Sequence, residues 1–201
     1  MADCTGLAPT IVGTPGSDVI VGTPGADVIR GLGGDDDIRG LGGDDVICGD
    51  DGNDTLSGDA ANDTIRGGPG NDSVNGGGGN DTVSGGTGDD TIAANGGDDR
   101  AVGNEGSDTL GGGDGNDFLA GGDDNDFLNG GLGNDQVEGN SGDDRVVGNQ
   151  GNDTLEGNKG GDILNAFDTG AFVDALAGGP DPDQCFSDPA DVPASLAGGD
   201  C

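Results

Sequence analysis

The chain has 201 residues, a formal net charge of −34, 49 glycines, no histidine, and five phenylalanines as its only aromatic side chains. This composition taken alone is typical of a disordered chain, because little can be buried against the repulsion between like charges. It also argues against binding to nucleic acid or to anionic membranes, and no apolar run is long enough to span a bilayer.

The N-terminal segment precedes a regular repeat. Residues 4–12, CTGLAPTIV, carry a strand-like Thr-Ile-Val in register with that repeat but lack its aspartate. We therefore interpret residues 1–12 as an N-terminal cap over the first coil. The first residues, MADCTG, contain neither the basic nor the apolar region of a secretion signal, so we expect a mature form with an added Met.

A nine-residue repeat runs without insertion from Gly13 to Asn165, which makes 17 units of the form G-G-x-G-[ND]-D-x-aliphatic-x. Position eight is Ile, Leu or Val in every unit except the one that contains Ala101. Position six is always aspartate, at Asp18, Asp27, Asp36, Asp45, Asp54, Asp63, Asp72, Asp81, Asp90, Asp99, Asp108, Asp117, Asp126, Asp135, Asp144, Asp153 and Asp162. Such a period predicts a stacked solenoid.

Each position of the unit has a structural interpretation. Glycine at positions one and four suits a turn with positive φ, and the Asn or Asp common at position five tolerates that region next best. Positions seven to nine predict a short strand whose middle aliphatic points inward. One aliphatic per unit cannot form a core alone, but stacked units can. The pattern predicts an all-β fold over residues 13–165 and excludes an α-helix there.

The segment from residue 166 to 201 breaks the period. It contains three of the five phenylalanines, Phe167, Phe172 and Phe186. The stretch AFVDALA at 171–177 indicates a short helix, and a Pro-rich loop follows it. We interpret residues 166–201 as a C-terminal cap that covers the open end of the solenoid. The other two aromatics, Phe118 and Phe127, occupy position seven and should point outward from opposite sheets. They could form a binding patch, be covered by the C-terminal segment, or be exposed without a role.

The aspartates of position six indicate a metal site. Stacked coils would place these like charges about 4.8 Å apart, which is unfavourable without a cation between them. The chain has only six Lys and Arg residues, so the counter-charge must come from solution. Carboxylates and backbone carbonyls without histidine favour Ca²⁺, because Mg²⁺ requires a stricter octahedron and retains its waters.

These units resemble the RTX, or hemolysin-type, calcium-binding repeat G-G-x-G-x-D-x-U-x, which occurs in secreted bacterial proteins, actinobacterial ones among them. The resemblance implies a right-handed parallel β-roll, with odd units on one sheet, even units on the other, and Ca²⁺ between neighbouring coils. One ion would use Asp72 and Asp90 with the carbonyls of Gly68, Gly70, Gly85 and Thr87. Another would use Asp81 and Asp99 with the carbonyls of Gly77, Gly79, Ala94 and Gly96.

The unit count sets an upper limit for the metal. Nine turns along one edge leave eight gaps and eight turns along the other leave seven, which allows up to about 15 Ca²⁺ ions. With so few inward aliphatics, the core is small relative to the entropy cost of ordering the chain. We therefore expect the metal-free chain to be largely disordered and Ca²⁺ to fold it.

The four cysteines, Cys4, Cys48, Cys185 and Cys201, fit an extracellular protein. Six coils of about 4.8 Å separate Cys48 from the C-terminal segment, which disfavours a bridge along the whole roll. We predict the pairs Cys4–Cys48 and Cys185–Cys201. Zinc is a poor alternative, since the thiols are not clustered.

Two function classes remain open. The first is a secreted, monomeric calcium-binding protein with a structural or interaction role, including an adhesin or matrix module. The second is an ice-binding solenoid, which would use position-seven threonines that Arg100, Arg145 and the phenylalanines interrupt. Those threonines are Thr55, Thr64, Thr82, Thr91, Thr109 and Thr154. An enzyme is not expected, because no histidine and no nucleophile arrangement is present.

Overall fold

The computed structural model describes residues 7–167, 173–187 and 192–193, and it confirms the all-β prediction. The described residues contain no helix long and apolar enough to cross a membrane. The strands in chain order are β1 Ile11–Val12, β2 Val19–Val21, β3 Val28–Gly33, β4 Asp37–Arg39, β5 Val46–Asp51, β6 Thr55–Ala60, β7 Thr64–Pro69, β8 Ser73–Gly78, β9 Thr82–Thr87, β10 Thr91–Gly96, β11 Arg100–Glu105, β12 Thr109–Asp114, β13 Phe118–Asp123, β14 Phe127–Leu132, β15 Gln136–Ser141, β16 Arg145–Gln150, β17 Thr154–Lys159, β18 Ile163–Asn165, β19 Ala175–Ala177, β20 Gln184–Phe186 and β21 Val192–Pro193.

The strands form two parallel sheets. All odd-numbered strands lie in one sheet of eleven and all even-numbered strands in another of ten, each in chain order. Consecutive units therefore alternate between the sheets, as the resemblance to the RTX repeat implies, and two units make one coil of a β-solenoid. The N-terminal Thr-Ile-Val also behaves as expected, because Ile11 of β1 pairs with Ile29 of β3.

Most strands are longer than the three residues that the repeat predicts. In the middle of the solenoid each strand has six residues, from position seven of one unit to position three of the next. Strand β9, for example, pairs with β11 from Thr82↔Arg100 to Thr87↔Glu105. Residues expected to belong only to turns thus take part in the ladder, because every coil places the same backbone groups opposite each other.

The core is a single file of aliphatic side chains from position eight. Ile29, Ile47 and Leu110 are fully buried, and Ala101, the exception to the pattern, is buried in the same cluster. The position-seven phenylalanines point outward, as predicted. Each lies beside an arginine of an adjacent strand, with Arg100 4.2 Å from the ring centroid of Phe118 and Arg145 5.6 Å from that of Phe127.

The helix predicted at 171–177 is wrong for its described end, because Ala175–Ala177 is strand β19 and pairs with β17. Strand β20 pairs in turn with β18, so both sheets continue past Asn165. The register changes there from 18 to 21 residues, with Thr154 opposite Ala175. Because of this three-residue insertion, the continuing repeat cannot be recognised when the sequence is divided into fixed nine-residue units. The cap boundaries stay predictions, and Phe172 lies outside the described residues.

The cysteine pairing also stays a prediction. Cys48 is buried on β5, and Cys185 packs at the edge of the core on β20. Neither is a free thiol. Cys4 and Cys201, the partners predicted for them, lie outside the part of the chain that the structure describes.

Candidate metal centre

The position-six aspartates form two buried columns, one along each edge of the solenoid. From Asp27 to Asp162 they are at most 6% exposed, and Asp18 at the N-terminal end is half-buried. Members of one column are 18 residues apart, so the predicted pairs Asp72 with Asp90 and Asp81 with Asp99 are neighbours in successive coils. The aspartates of both columns are therefore shielded from solvent.

Hydrogen bonds join each column. The backbone N–H of Asp72 donates to Oδ1 of Asp90 at 2.8 Å, and the N–H of Asp81 donates to Oδ1 of Asp99 at 2.7 Å. The same bond recurs from Asp18 with Asp36 to Asp162 with Asp183. One oxygen of each carboxylate is thus satisfied by the coil on its N-terminal side.

The second carboxylate oxygen has no such partner. Within the described residues, buried Oδ2 atoms accept no hydrogen bond in every unit from Asp36 to Asp144, and again at Asp162 and Asp183. Leaving one buried acceptor unsatisfied costs about 1–3 kcal/mol, and more for a charged group. A repeated cost of this kind indicates that a cation belongs beside these oxygens.

Position-one glycines make room for these oxygens. A Cβ added at Gly67 would lie 2.0 Å from Oδ2 of Asp72 and 2.6 Å from the carbonyl oxygen of Gly85 in the next coil. At Gly76 the corresponding atoms are Oδ2 of Asp81 and the Ala94 carbonyl, at 2.5 and 2.7 Å. A carboxylate oxygen and a carbonyl oxygen from successive coils thus converge beside each glycine.

The predicted reason for that glycine is therefore wrong. Positive φ occurs at positions two and four, as at Gly68 (124°) and Gly70 (138°), and not at position one. Position five is not left-handed either. Its Asn and Asp side chains accept backbone N–H groups of the following coil instead, as Asn53 Oδ1 does from Asn71 at 2.7 Å.

Of the other predicted carbonyl ligands, four lie within strands and two lie in the turns between them; these are Gly68, Gly77, Thr87 and Gly96 in strands and Gly70 and Gly79 in turns. The position-three carbonyls of Thr87 and Gly96 accept inter-coil hydrogen bonds from the N–H groups of Gly70 and Gly79, at 2.8 and 2.7 Å. No three His, Cys, Asp or Glu side chains converge on one point among the described residues. A cation bound beside these carboxylates would be completed by backbone carbonyls or water, which suits Ca²⁺.

Burial raises the pKa of most aspartates in the two columns. The pKa of Asp63 and of Asp90 is raised to about 7 and that of Asp81 to about 6, mainly because burial desolvates the carboxyls; like charges of neighbouring aspartates act in the same direction, and the backbone N–H bond to each carboxyl opposes them. Without a cation these three carboxyls therefore favour their neutral form below about pH 6. A calcium ion requires the ionised form and would supply the missing counter-charge.

The first two units differ from all later ones. Oδ2 of Asp18 accepts the backbone N–H of Thr14 at 2.6 Å, and Oδ2 of Asp27 accepts that of Thr23 at 2.7 Å. The bond from Thr23 lowers the pKa of Asp27, in contrast to the rise at Asp63 and Asp90. Both aspartates were predicted as ligands from the repeat alone.

Two aspartates of the same kind follow the predicted repeat. Asp174 accepts the N–H of Asp153 at 2.7 Å, and Asp183 accepts that of Asp162 at 2.9 Å. A Cβ on Gly178 would lie 2.2 Å from Oδ2 of Asp183, as in the regular units. In the sequence, GGPDPDQCF at 178–186 matches the nine-residue unit when the preceding insertion is taken into account. Its position four is Asp instead of Gly.

Comparison with known proteins agrees with this geometry. A family model described as the RTX calcium-binding nonapeptide repeat matches residues 12–47, 49–83, 75–110, 102–137, 111–146 and 138–166. A search of curated proteins found no match. Because the matched segments cover most of the chain and coincide with the coils that carry the aspartate columns, the chain belongs to the RTX calcium-binding nonapeptide-repeat family.

Proposed function

We propose that this protein is a secreted, non-enzymatic module that folds when Ca²⁺ fills the two aspartate columns, and that the folded roll has a structural or interaction role. The observation that carries the proposal is the series of buried Oδ2 atoms without hydrogen-bond partners. We expect a monomer, since the roll buries its own core.

Each ion would lie between successive coils on one edge. Oδ2 of Asp72 and the Gly85 carbonyl already approach the same space beside Gly67, and this supports Asp72 and Gly85 as ligands of one ion. Asp90, the next aspartate of the column, is proposed as the second carboxylate. Oδ2 of Asp81 and the Ala94 carbonyl support the equivalent site with Asp99. The carbonyls of Gly68, Gly70, Thr87, Gly77, Gly79 and Gly96 are proposed to complete the two sites.

The proposed columns are shifted relative to the sequence repeat. They begin at Asp36 and Asp45, because the carboxylates of Asp18 and Asp27 are satisfied by threonines. They extend at the other end to Asp183, whose Oδ1 is bonded to the coil of Asp162. When bound, Ca²⁺ supplies positive charge between carboxylates that otherwise repel each other.

Calcium dependence of folding tests the proposal. Far-ultraviolet circular dichroism should change from coil in chelator to β-structure in millimolar Ca²⁺, with a steep transition, because each ion bridges two coils and stabilises its neighbours. Mg²⁺ at the same concentration is the control and should produce little structure. A compact β-fold in excess chelator at pH 7.5 would contradict the proposal.

Acidification should partly replace calcium. The raised pKa of Asp63, Asp90, Asp126 and Asp144, each about 7 against 3.8 in an unfolded chain, means that the folded state binds more protons between these values. Stability of the metal-free roll is therefore greatest below pH 4 and is lost as the pH rises through about 7.

The measurement is circular dichroism of metal-stripped, dilute protein. It should show more β-structure at pH 5 than at pH 7.5, and added Ca²⁺ should cause a smaller change at pH 5. A metal-free spectrum that is identical at the two pH values would show that the buried carboxyls do not oppose folding through their charge.

A further inference from the structure

The first coil, residues 13–30, consists of the units GTPGSDVIV and GTPGADVIR. Both have threonine at position two and proline at position three. From Leu32 to Asn158, the position-two residue of every regular unit has positive φ, whereas Thr14 and Thr23 do not. A residue with a Cβ is biased towards extended conformations before proline, so the Thr-Pro dipeptide disfavours the regular left-handed turn.

The altered turn brings two donors to each carboxylate. Oδ2 of Asp18 accepts the N–H of Thr14 at 2.6 Å and its Oγ1 hydroxyl at 2.9 Å. Oδ2 of Asp27 accepts the same two groups of Thr23, at 2.7 and 2.8 Å. These are the oxygens that accept no hydrogen bond in the units from Asp36 to Asp144.

Proline at position three is not sufficient for this effect. The unit that begins at Gly67 also has a proline, Pro69, but glycine precedes it and adopts a φ of 124°. In that unit Oδ2 of Asp72 has no hydrogen-bond partner. The difference therefore lies in the residue at position two.

We propose that Thr14 and Thr23 take the place of the calcium ion in the first coil, so that the position-two residue determines which turns bind metal. A carboxylate oxygen with two donors has less capacity for a cation, and the threonine groups already occupy the approach to it. The roll thus begins with a coil closed by its own side chains, on which the calcium-dependent coils stack. This inference rests on the proposed calcium columns.

Counting bound ions tests the inference. The double variant Asp18→Asn with Asp27→Asn should retain the wild-type number of Ca²⁺ ions in native mass spectrometry at saturating calcium. The matched control, Asp72→Asn with Asp81→Asn, removes two carboxylates from regular units and should lose at least two ions. Both doubles change the charge equally, so an unspecific charge effect would appear in both.

Loss of ions from the Asp18 and Asp27 double variant, to the same extent as from the control, would overturn the inference. A variant with Thr14→Val and Thr23→Val provides a second readout, because it removes the hydroxyls and should lower the thermal midpoint without changing the ion count. An unchanged midpoint would also count against it. A wild-type chain that binds no calcium would instead overturn the proposed function, so the two failures are distinguishable.

Discussion

Replacing Gly112 with alanine should strongly disfavour the calcium-bound fold, whereas the same change at the adjacent Gly111 should have little effect. A Cβ at Gly112 would lie 2.3 Å from Oδ2 of Asp117 and 2.5 Å from the Gly130 carbonyl oxygen. A Cβ at Gly111 would approach only the Ile92 carbonyl, at 4.0 Å. Neither glycine has positive φ, so the pair isolates the steric contribution.

Overpacking costs about 1–3 kcal/mol, and displacing the Asp117 carboxylate adds the loss of a ligand. We therefore expect Gly112→Ala to lower the free energy of unfolding by at least about 2 kcal/mol, against about 0.5 kcal/mol or less for Gly111→Ala. Urea unfolding in saturating Ca²⁺ measures both, and a calcium titration should show a higher midpoint for Gly112→Ala alone. Equal destabilisation would mean that the space beside the position-one glycine has no special role.

Asp81→Asn should lose more calcium than Asp183→Asn. Asp81 is bonded to one coil on each side, since its Oδ1 accepts the N–H of Asp63 and its backbone N–H donates to Oδ1 of Asp99. Asp183 is bonded only to the coil of Asp162 within the described structure. Asp162, which the sequence repeat makes the terminal aspartate, is therefore internal to its column.

The expected result for Asp81→Asn is the loss of up to two ions and a several-fold higher calcium midpoint, because the defect interrupts coils that depend on each other. Asp183→Asn should lose at most one ion and fray only the C-terminal end. Isothermal titration calorimetry, together with native mass spectrometry, measures both quantities side by side. Equal losses would mean that every turn binds its ion independently, and the shared sites proposed between coils would have to be abandoned.

The nine-residue period, and the features that follow from it, were predictable from the amino-acid order. A unit of nine with one aliphatic predicts stacked coils with the aliphatic side chains inside, and the resemblance to the RTX repeat adds alternation between two sheets; these features are found. Stacking and the inward aliphatic need only the alternation of side chains along a strand and the repetition of the unit. The preference for Ca²⁺ as the ligand followed from the residue types, carboxylates and backbone carbonyls without histidine.

The contacts between neighbouring coils could not be predicted from the repeat. The role of Gly67, the partners of Asn53 and the threonine contacts of Asp18 all depend on where backbone and side-chain atoms of the folded turns meet. The continuation of the sheet through Ala175 could not be predicted either. A three-residue insertion destroys the local period, but the open sheet edge still offers the backbone hydrogen bonds that make Ala175 a strand residue opposite Thr154.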